Sequence, residues 1–299
     1  MLEARDLLNI ARVAQYGSIQ RAAISLGLTQ PALSKAIARL EDELQLTLFD
    51  RHGRGATLTE AGRLALERGK PILLALADLG DTLGQMRGLE YGSITIGIGP
   101  LVREAYLGTV LRDFVSRFPH IRVAIRVGAP SSLVRLVQGG EVDFAVVAWS
   151  PADDDPDLDV SILGEEEIAV AMRPGHPLAT RAEVAAQDIS AFPLIAPFTP
   201  SQIAAPFIAA LRKRGTTPFK LAVVCDDFRA ALPLVTTSDH IFLATRSSLA
   251  THVGFADFVV KPLQGLGLSL NPCLVRRRTK SLSLAADHFA TLLRQCCAA

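Results

Sequence analysis

Over residues 1–60 apolar positions recur at helical spacing in short runs punctuated by glycine. Leu7, Ile10, Ala11 and Ala14 mark a first helix that Gly17 ends. Ser18 caps a second, Ile19 to Leu26, with Ala22, Ala23 and Leu26 turned inward. Gly27 and Leu28 lead to Thr29, the cap of a third helix whose first turn holds Gln30 and Pro31. Its inward stripe is Leu33, Ile37, Leu40 and Leu44. Leu46, Leu48 and Phe49 then predict a short strand. Gly53 and Gly55 predict a tight turn with Arg54 at its tip, and Thr57-Leu58 the return.

The next segment changes period. Leu58, Gly62, Ala65, Gly69, Ile72, Leu76, Leu79, Leu83 and Met86 alternate four and three apart, the seam of a coiled coil. A helix from Thr59 to about Gly88 would be roughly 40 Å long. It pairs with a second copy or, on pattern alone, packs on the chain's own C-terminal domain. Pro71 interrupts the seam and is expected to kink it.

From Gly92 the chain alternates strands and helices. Strands are expected at 93–99, 121–127, 142–147, 168–172, 194–196, 221–224, 241–244 and 272–276. Helices are expected at 102–118, 131–138 and 284–293. That order predicts an α/β domain on a mainly parallel sheet. Pro151 to Pro156 is an acidic turn facing solvent.

Composition narrows the function classes. The chain has 299 residues, 49% hydrophobic and 20% charged, with no run of apolar residues long enough for a membrane span. Its start does not resemble a secretion signal, so a cytoplasmic protein is expected. Cys225, Cys273, Cys296 and Cys297 show no metal-ligand spacing and read as reduced thiols. No metal or cofactor is expected. Residues 1–60 hold seven basic and seven acidic side chains, so any attraction to nucleic acid rests on placement and not on net charge.

Chemistry concentrates in the third helix. A small residue at Ala23, a turn glycine at Gly27 and an apolar Leu33 have the spacing of a helix-turn-helix. Ser34, Lys35, Ala38 and Arg39 lie on the outer face of the third helix and Gln30 projects from its start. Glutamine, serine and lysine are base- and phosphate-reading groups. Glu41, Asp42 and Glu43 fall where the helix would leave a groove, and Arg54 suits a minor groove.

Taken in order, five segments carry a family signature. They are Ser18-Ile19-Gln20-Arg21-Ala22-Ala23, Thr29-Gln30-Pro31-Ala32-Leu33-Ser34, Leu40-Glu41-Asp42-Glu43-Leu44, Leu48-Phe49-Asp50-Arg51 and Leu58-Thr59-Glu60-Ala61-Gly62. They resemble the LysR-type transcriptional regulators. The resemblance implies that Gln30, Ser34 and Lys35 sit at major-groove positions and that Arg54 is the wing arginine. Thr29, Pro31, Arg39 and Arg51 join them as candidate DNA contacts. One departure is Gln45, where members usually carry glycine in a left-handed helix cap.

The resemblance also implies dimerisation through the 59–89 helix and a C-terminal domain similar to type 2 periplasmic binding proteins. The expected organisation is a winged helix-turn-helix at 1–58, a linker helix at 59–89 and an effector domain at 90–299. Its first lobe spans 90–163 and 263–299, and its second 164–262, with crossovers near Leu163-Gly164 and Lys261-Pro262. Ligands of such sheets bind beyond strand carboxyl ends, at helix N-termini. That selects Pro100, Leu101, Val102, Ser131, Ser132, Thr199 and Ser201, with Phe228, Arg246, Arg103 and Arg229 nearby. Pro100-Leu101 is more apolar than the hydroxyl-bearing sequence of many members. A small anion such as a carboxylate is the expected effector.

The expected protein is therefore a dimeric or tetrameric regulator that binds double-stranded DNA and a small effector. An enzyme is the second reading, but no catalytic triad, metal cluster or phosphate loop supports it, and the histidines are scattered. A transport solute-binding protein is opposed by the DNA head, and a redox sensor is a minor alternative.

Overall fold

The computed structural model describes residues 2–52, 55–85, 92–148, 155–197, 221–254, 257–265 and 270–298. The side chains of Arg51 and of 77, 78, 81, 82, 84 and 85 lie outside that description. The chain divides into two compact units, Met1–Met86 and Arg87–Ala299.

The first unit is built from α1 (Ala4–Tyr16), α2 (Ile19–Ser25), α3 (Gln30–Leu44), β1 (Phe49–His52), β2 (Gly55–Leu58) and α4 (Glu60–Gln85). Caps fix the helix starts. The Glu3 side chain accepts from the Asp6 backbone while Asp6 accepts from the Glu3 N–H, a reciprocal box. Ser18 accepts from Arg21 N–H and Thr29 from Ala32 N–H. Between α2 and α3, Gly27 adopts φ 66°, which lets Leu28 N–H reach back to the Ala23 carbonyl at 2.9 Å. Ile10, Val13, Ala23, Leu33, Ile37, Leu40, Leu48 and Phe49 form a common core, each no more than 2% exposed. Leu44, expected inside, is exposed.

Two further contacts set the wing. β1 and β2 pair antiparallel from Phe49–Leu58 to His52–Gly55. The Ala56 N–H then bonds the Gly17 carbonyl at 3.0 Å, and a Cβ on Gly55 would lie 2.2 Å from that carbonyl oxygen. No side chain fits there.

α4 continues through Pro71 as one helix. Its first half does not form an open seam. Gly62 and Gly69 are buried, and a Cβ on Gly69 would sit 2.6 Å from Leu7 of α1. Beyond Lys70, Ile72, Leu76, Leu79 and Leu83 are all about half exposed.

The second unit contains two mixed sheets. The first has strand order β4-β3-β5-β13-β6, from β3 (Gly92–Ile98), β4 (Ile121–Val127), β5 (Phe144–Ala148), β6 (Leu158–Ile162) and β13 (Pro272–Arg277). Within it β3 is parallel to β4 and β5, whereas β13 runs antiparallel to β5 and β6. The second has order β10-β9-β11-β7-β12-β8, from β7 (Ile168–Met172), β8 (Val184–Ala185), β9 (Leu194–Ala196), β10 (Leu221–Val224), β11 (Ile241–Thr245) and β12 (Val259–Gln264). β9 is parallel to both β10 and β11; β7 is antiparallel to β11 and β12. The expectation of a mainly parallel sheet is thus corrected. In the first sheet β13 returns after the second sheet is complete and enters reversed, whereas in the second the reversed strand is β7, which precedes its neighbours β11 and β12 in the chain.

The helices are α5 (Pro100–Val102), a π-helical turn at Arg103–Leu107, α6 (Gly108–Arg117), α7 (Pro130–Gln138), α8 (Phe228–Thr237), α9 (Arg246–Ala250) and α10 (Leu284–Ala298). Phe114, Phe144 and Phe289 fill the core of the first sheet on the α6 and α10 side, with Leu133, Val137 and Val275 under α7 on the other. The first crossover falls at 163–167, between β6 and β7. The second was expected at Lys261-Pro262, but β12 carries on to Gln264, and Pro262 pairs with Ala169 inside the sheet. The return therefore lies between Gln264 and Pro272.

Candidate nucleic-acid interface and effector cleft

The start of α3 presents an open polar surface. Thr29, Gln30, Pro31 and Lys35 are exposed and Ser34 is half-buried, all in the two turns after the Thr29 cap. Pro31 sets the first turn without forfeiting a helix bond, so Gln30 and Lys35 project from rigid backbone. Arg51 lies in β1 and Arg54 lies outside the described residues, so the wing arginines add only a strand position.

Arg39, expected among the DNA contacts, is engaged in two ion pairs within the head. Its Nη2 lies 2.8 Å from Asp6 Oδ1 and its Nη1 2.6 Å from Glu43 Oε1. Asp6 first, and Glu43 second, hold the guanidinium above its ordinary basicity. Because the Asp6 side chain is only 4% exposed, this pair ties α3 to the start of α1. Arg39 is a strut of the head, with its charge already answered.

Glu41, expected where the helix leaves a groove, has a structural role as well. Its Oε1 accepts the N–H groups of Leu48 and Phe49 at 2.7 and 3.1 Å, so α3 holds the entry of β1 directly. The signal available in sequence was an acid eight residues before a strand, which by itself names no partner. Gln45 does take the left-handed cap, at φ 52°, the one non-glycine residue with positive φ among those described. Its own Nε2 donates to the Asp42 carbonyl at 2.8 Å, a bond glycine could not make.

In the second unit the three expected segments fare unequally. Pro100, Leu101 and Val102 follow the carboxyl end of β3, but their side chains are buried, and Leu101 belongs to the core cluster of the second lobe. Phe228 is likewise core, 1% exposed, stacked on His252 and tilted against Phe242. These side chains do not line an open cleft; only their backbone is left to contribute. Ser131 and Ser132 are half-buried in the first turn of α7, and Ser132 Oγ accepts from Arg135 at 3.1 Å. Thr199 and Ser201 lie outside the described residues. Arg246 is exposed and bonded to Glu167 at 2.7 Å, and Arg103 is bonded to Glu104 and to the Asp226 carbonyl. Arg229 is exposed. Both Arg103 and Arg246 thus carry a carboxylate partner already.

A feature that the sequence did not announce is a polar cluster joining the lobes. The Tyr106 hydroxyl donates to the Glu166 carboxylate, as does Ser247 Oγ at 2.5 Å. Burial, then the bond to Glu166, pushes the Tyr106 phenol well above its usual range. His252 Nε2 lies 2.7 Å from Glu104 Oε2. Cys297, near Glu166, is pushed up to about 12, chiefly by burial, which makes it a poor nucleophile. Among the described residues no three metal-ligating side chains come together, and no helix is long and apolar enough to cross a membrane.

Comparison with known proteins accounts for both units. Residues 4–63 match the family described as bacterial regulatory helix-turn-helix protein, lysR family, and residues 87–298 match the LysR substrate binding domain. The SDS degradation transcriptional activation protein of Pseudomonas sp. (strain ATCC 19151) is 30% identical over 98% of this chain and 96% of its own. Among solved structures, CbnR, a LysR family transcriptional regulator, matches with TM-score 0.66 at 20% identity, covering 100% of both chains. A full-length OxyR variant from Pseudomonas aeruginosa matches with TM-score 0.72 at 15% identity, covering 99% of this chain and 95% of that one. The helix-turn-helix head, the α/β effector domain and these matches together make the chain a LysR-family transcriptional regulator, with a DNA-binding head and a substrate-binding domain for a small-molecule effector.

Proposed function

We propose that this regulator works as a cytoplasmic dimer, or a tetramer of two such dimers, joined along the outer half of α4. Gln30, Ser34 and Lys35 would read the major groove, with Thr29 and Pro31 placing the helix start and the wing arginines Arg51 and Arg54 beside the backbone. The observation that carries this reading is the exposed, Thr29-capped first turn of α3 beside a wing that Glu41 fixes. The half-exposed stripe Ile72, Leu76, Leu79 and Leu83 supports the dimer, since apolar side chains at heptad spacing are stable when a second helix covers them. The solved complex of full-length CbnR with its target DNA shows a structural neighbour in that role, at 22% identity.

For the effector, the candidate site is the cleft beyond β3 and β4, with backbone N–H groups at the start of α7 beside Ser131 and Ser132. Thr199 and Ser201 would complete it from the second lobe. A small anion remains the proposed chemistry, held by helix N-termini because the nearby Arg103 and Arg246 already have carboxylate partners. The relative named for SDS degradation makes short alkyl sulfates the first compounds to screen.

Two measurements test the pair of readings. DNA selected from a random pool by the full chain should be lost by Lys35→Ala with a salt dependence shallower by about one unit. An unchanged salt slope would remove Lys35 from the interface. Hexyl sulfate should raise the unfolding temperature saturably, and that rise should vanish in Ser131→Pro; an equal rise in the variant would move the site elsewhere.

A further inference from the structure

The π-helical turn Arg103–Leu107 interrupts what the apolar spacing predicted as one continuous helix. Such a turn is rare, occurs mostly as a single turn inside an α-helix, and is frequent at functional sites. Here it aims three at the second lobe. Arg103 Nη2 donates to the Asp226 carbonyl at 3.0 Å, Glu104 meets His252 at 2.7 Å, and the Tyr106 hydroxyl donates to Glu166.

The last of these contacts ends on Glu166, which makes several more. It stands on the first crossover, and its backbone N–H donates to Asn271 Oδ1 on the second crossover at 2.9 Å. Its carboxylate also accepts from Ser247 of α9 at 2.5 Å. One residue is therefore held by the first lobe's helix, the second lobe's helix and both connecting segments. An apolar contact also joins the lobes, because Leu101, next to the π-turn, is buried in the second lobe's core. The crossovers are the segments whose backbone must rotate if two lobes change their angle.

We propose that Glu166 is the positioning residue of an interlobe clasp. Tyr106 and Ser247 grip its carboxylate from opposite lobes and hold the unliganded domain at one angle, against which an effector must work. The apolar Leu101, buried in the second lobe's core, is part of the same clasp. The proposal rests on the reading that the effector binds between the lobes. Its test uses the chain without ligand, so its failure would leave that reading standing.

The test is amide hydrogen exchange and small-angle X-ray scattering on the full chain carrying Tyr106→Phe, Ser247→Ala, both, or Glu166→Gln. Each single hydroxyl deletion should speed exchange at 163–167 and 246–252 several-fold while β5 and β11 stay protected. The double variant should add little to either single, because both act through one carboxylate, and its scattering curve should change. Glu166→Gln, which keeps an acceptor oxygen, should open less than either. Unchanged exchange, a rise spread evenly into β5 and β11, additive effects, or an unaltered scattering curve would each overturn the clasp.

Discussion

Gly164 and Cys297 touch where the chain leaves the first lobe: a Cβ on Gly164 would lie 2.2 Å from the Cys297 carbonyl oxygen. The end of α10 is thus pressed against the first crossover through backbone alone. Gly164→Ala must push the two apart, and overpacking of this kind costs about 1–3 kcal/mol. A lowered urea midpoint of the full chain checks it. Gly80 is the control, since it sits on exposed helix with open space around its Cα. Gly80→Ala should stabilise by about 0.5–1 kcal/mol.

Removing the Glu41 carboxylate strands two N–H groups at the wing. Glu41→Ala should destabilise the head by about 1–3 kcal/mol. It should also weaken binding to every DNA sequence alike. Exchange rates at Leu48 and Phe49 supply the check: if those two amides stay as protected as before, the carboxylate does not hold the wing.

Arg39 and Lys35 should separate cleanly. Arg39→Ala leaves the nearly buried Asp6 carboxylate without its ion-pair partner, so the loss should appear as lowered stability of the head. At low temperature, where the head is folded, its DNA affinity should fall less than that of Lys35→Ala. Anisotropy titrations of both variants at two temperatures give the comparison. A larger loss for Arg39→Ala in the folded head would return Arg39 to the interface.

His176 sets an acid limit on the second lobe. The ring is 2% exposed, its Nδ1 accepts Leu178 N–H at 3.1 Å, and its Nε2 has no partner among the described residues. Burial lowers its pKa below the ordinary 6.5. The unfolded chain therefore takes up the proton first. Stability is unaffected well above pH 6.5 and is lost as pH falls below it toward the depressed folded value. His176→Phe should flatten that decline between pH 7 and 5, measured as urea midpoints. An unchanged slope would assign the acid sensitivity to other groups.

The α4 stripe makes a separate prediction. Leu79→Asp places a charge in the proposed seam at an exposed position outside the core of the head. Sedimentation at micromolar concentration should show loss of the dimer while the head keeps its helical signal.

Most of the head was legible because its determinants are local. Ser18, Thr29, Gly17 and Gly27 announce helix ends within three or four residues of the groups they serve, and Gln45 took the strained cap that its position demanded. What escaped depends on distance along the chain. Arg39 meets an acid thirty-three residues away and Glu166 an amide a hundred and five away, and neither partner leaves a mark on nearby spacing. The second crossover falls later than the resemblance implied, because Pro262 occupies a strand and pairs with Ala169. The π-turn was hidden because Arg103-Glu104-Ala105-Tyr106-Leu107 is ordinary helical composition; only the packing of Tyr106 against the second lobe distinguishes it.

The close fit of Gly69 on Leu7 makes the DNA head and the first turns of α4 a single rigid body. In a dimer paired along the outer half of that helix, the angular phase between heads would be counted in residues. One residue inserted between Pro71 and Leu76 would turn each head by about 100° about the helix axis. Operator preference would then change in discrete jumps, like a gear advanced by one tooth, and never by gradual drift.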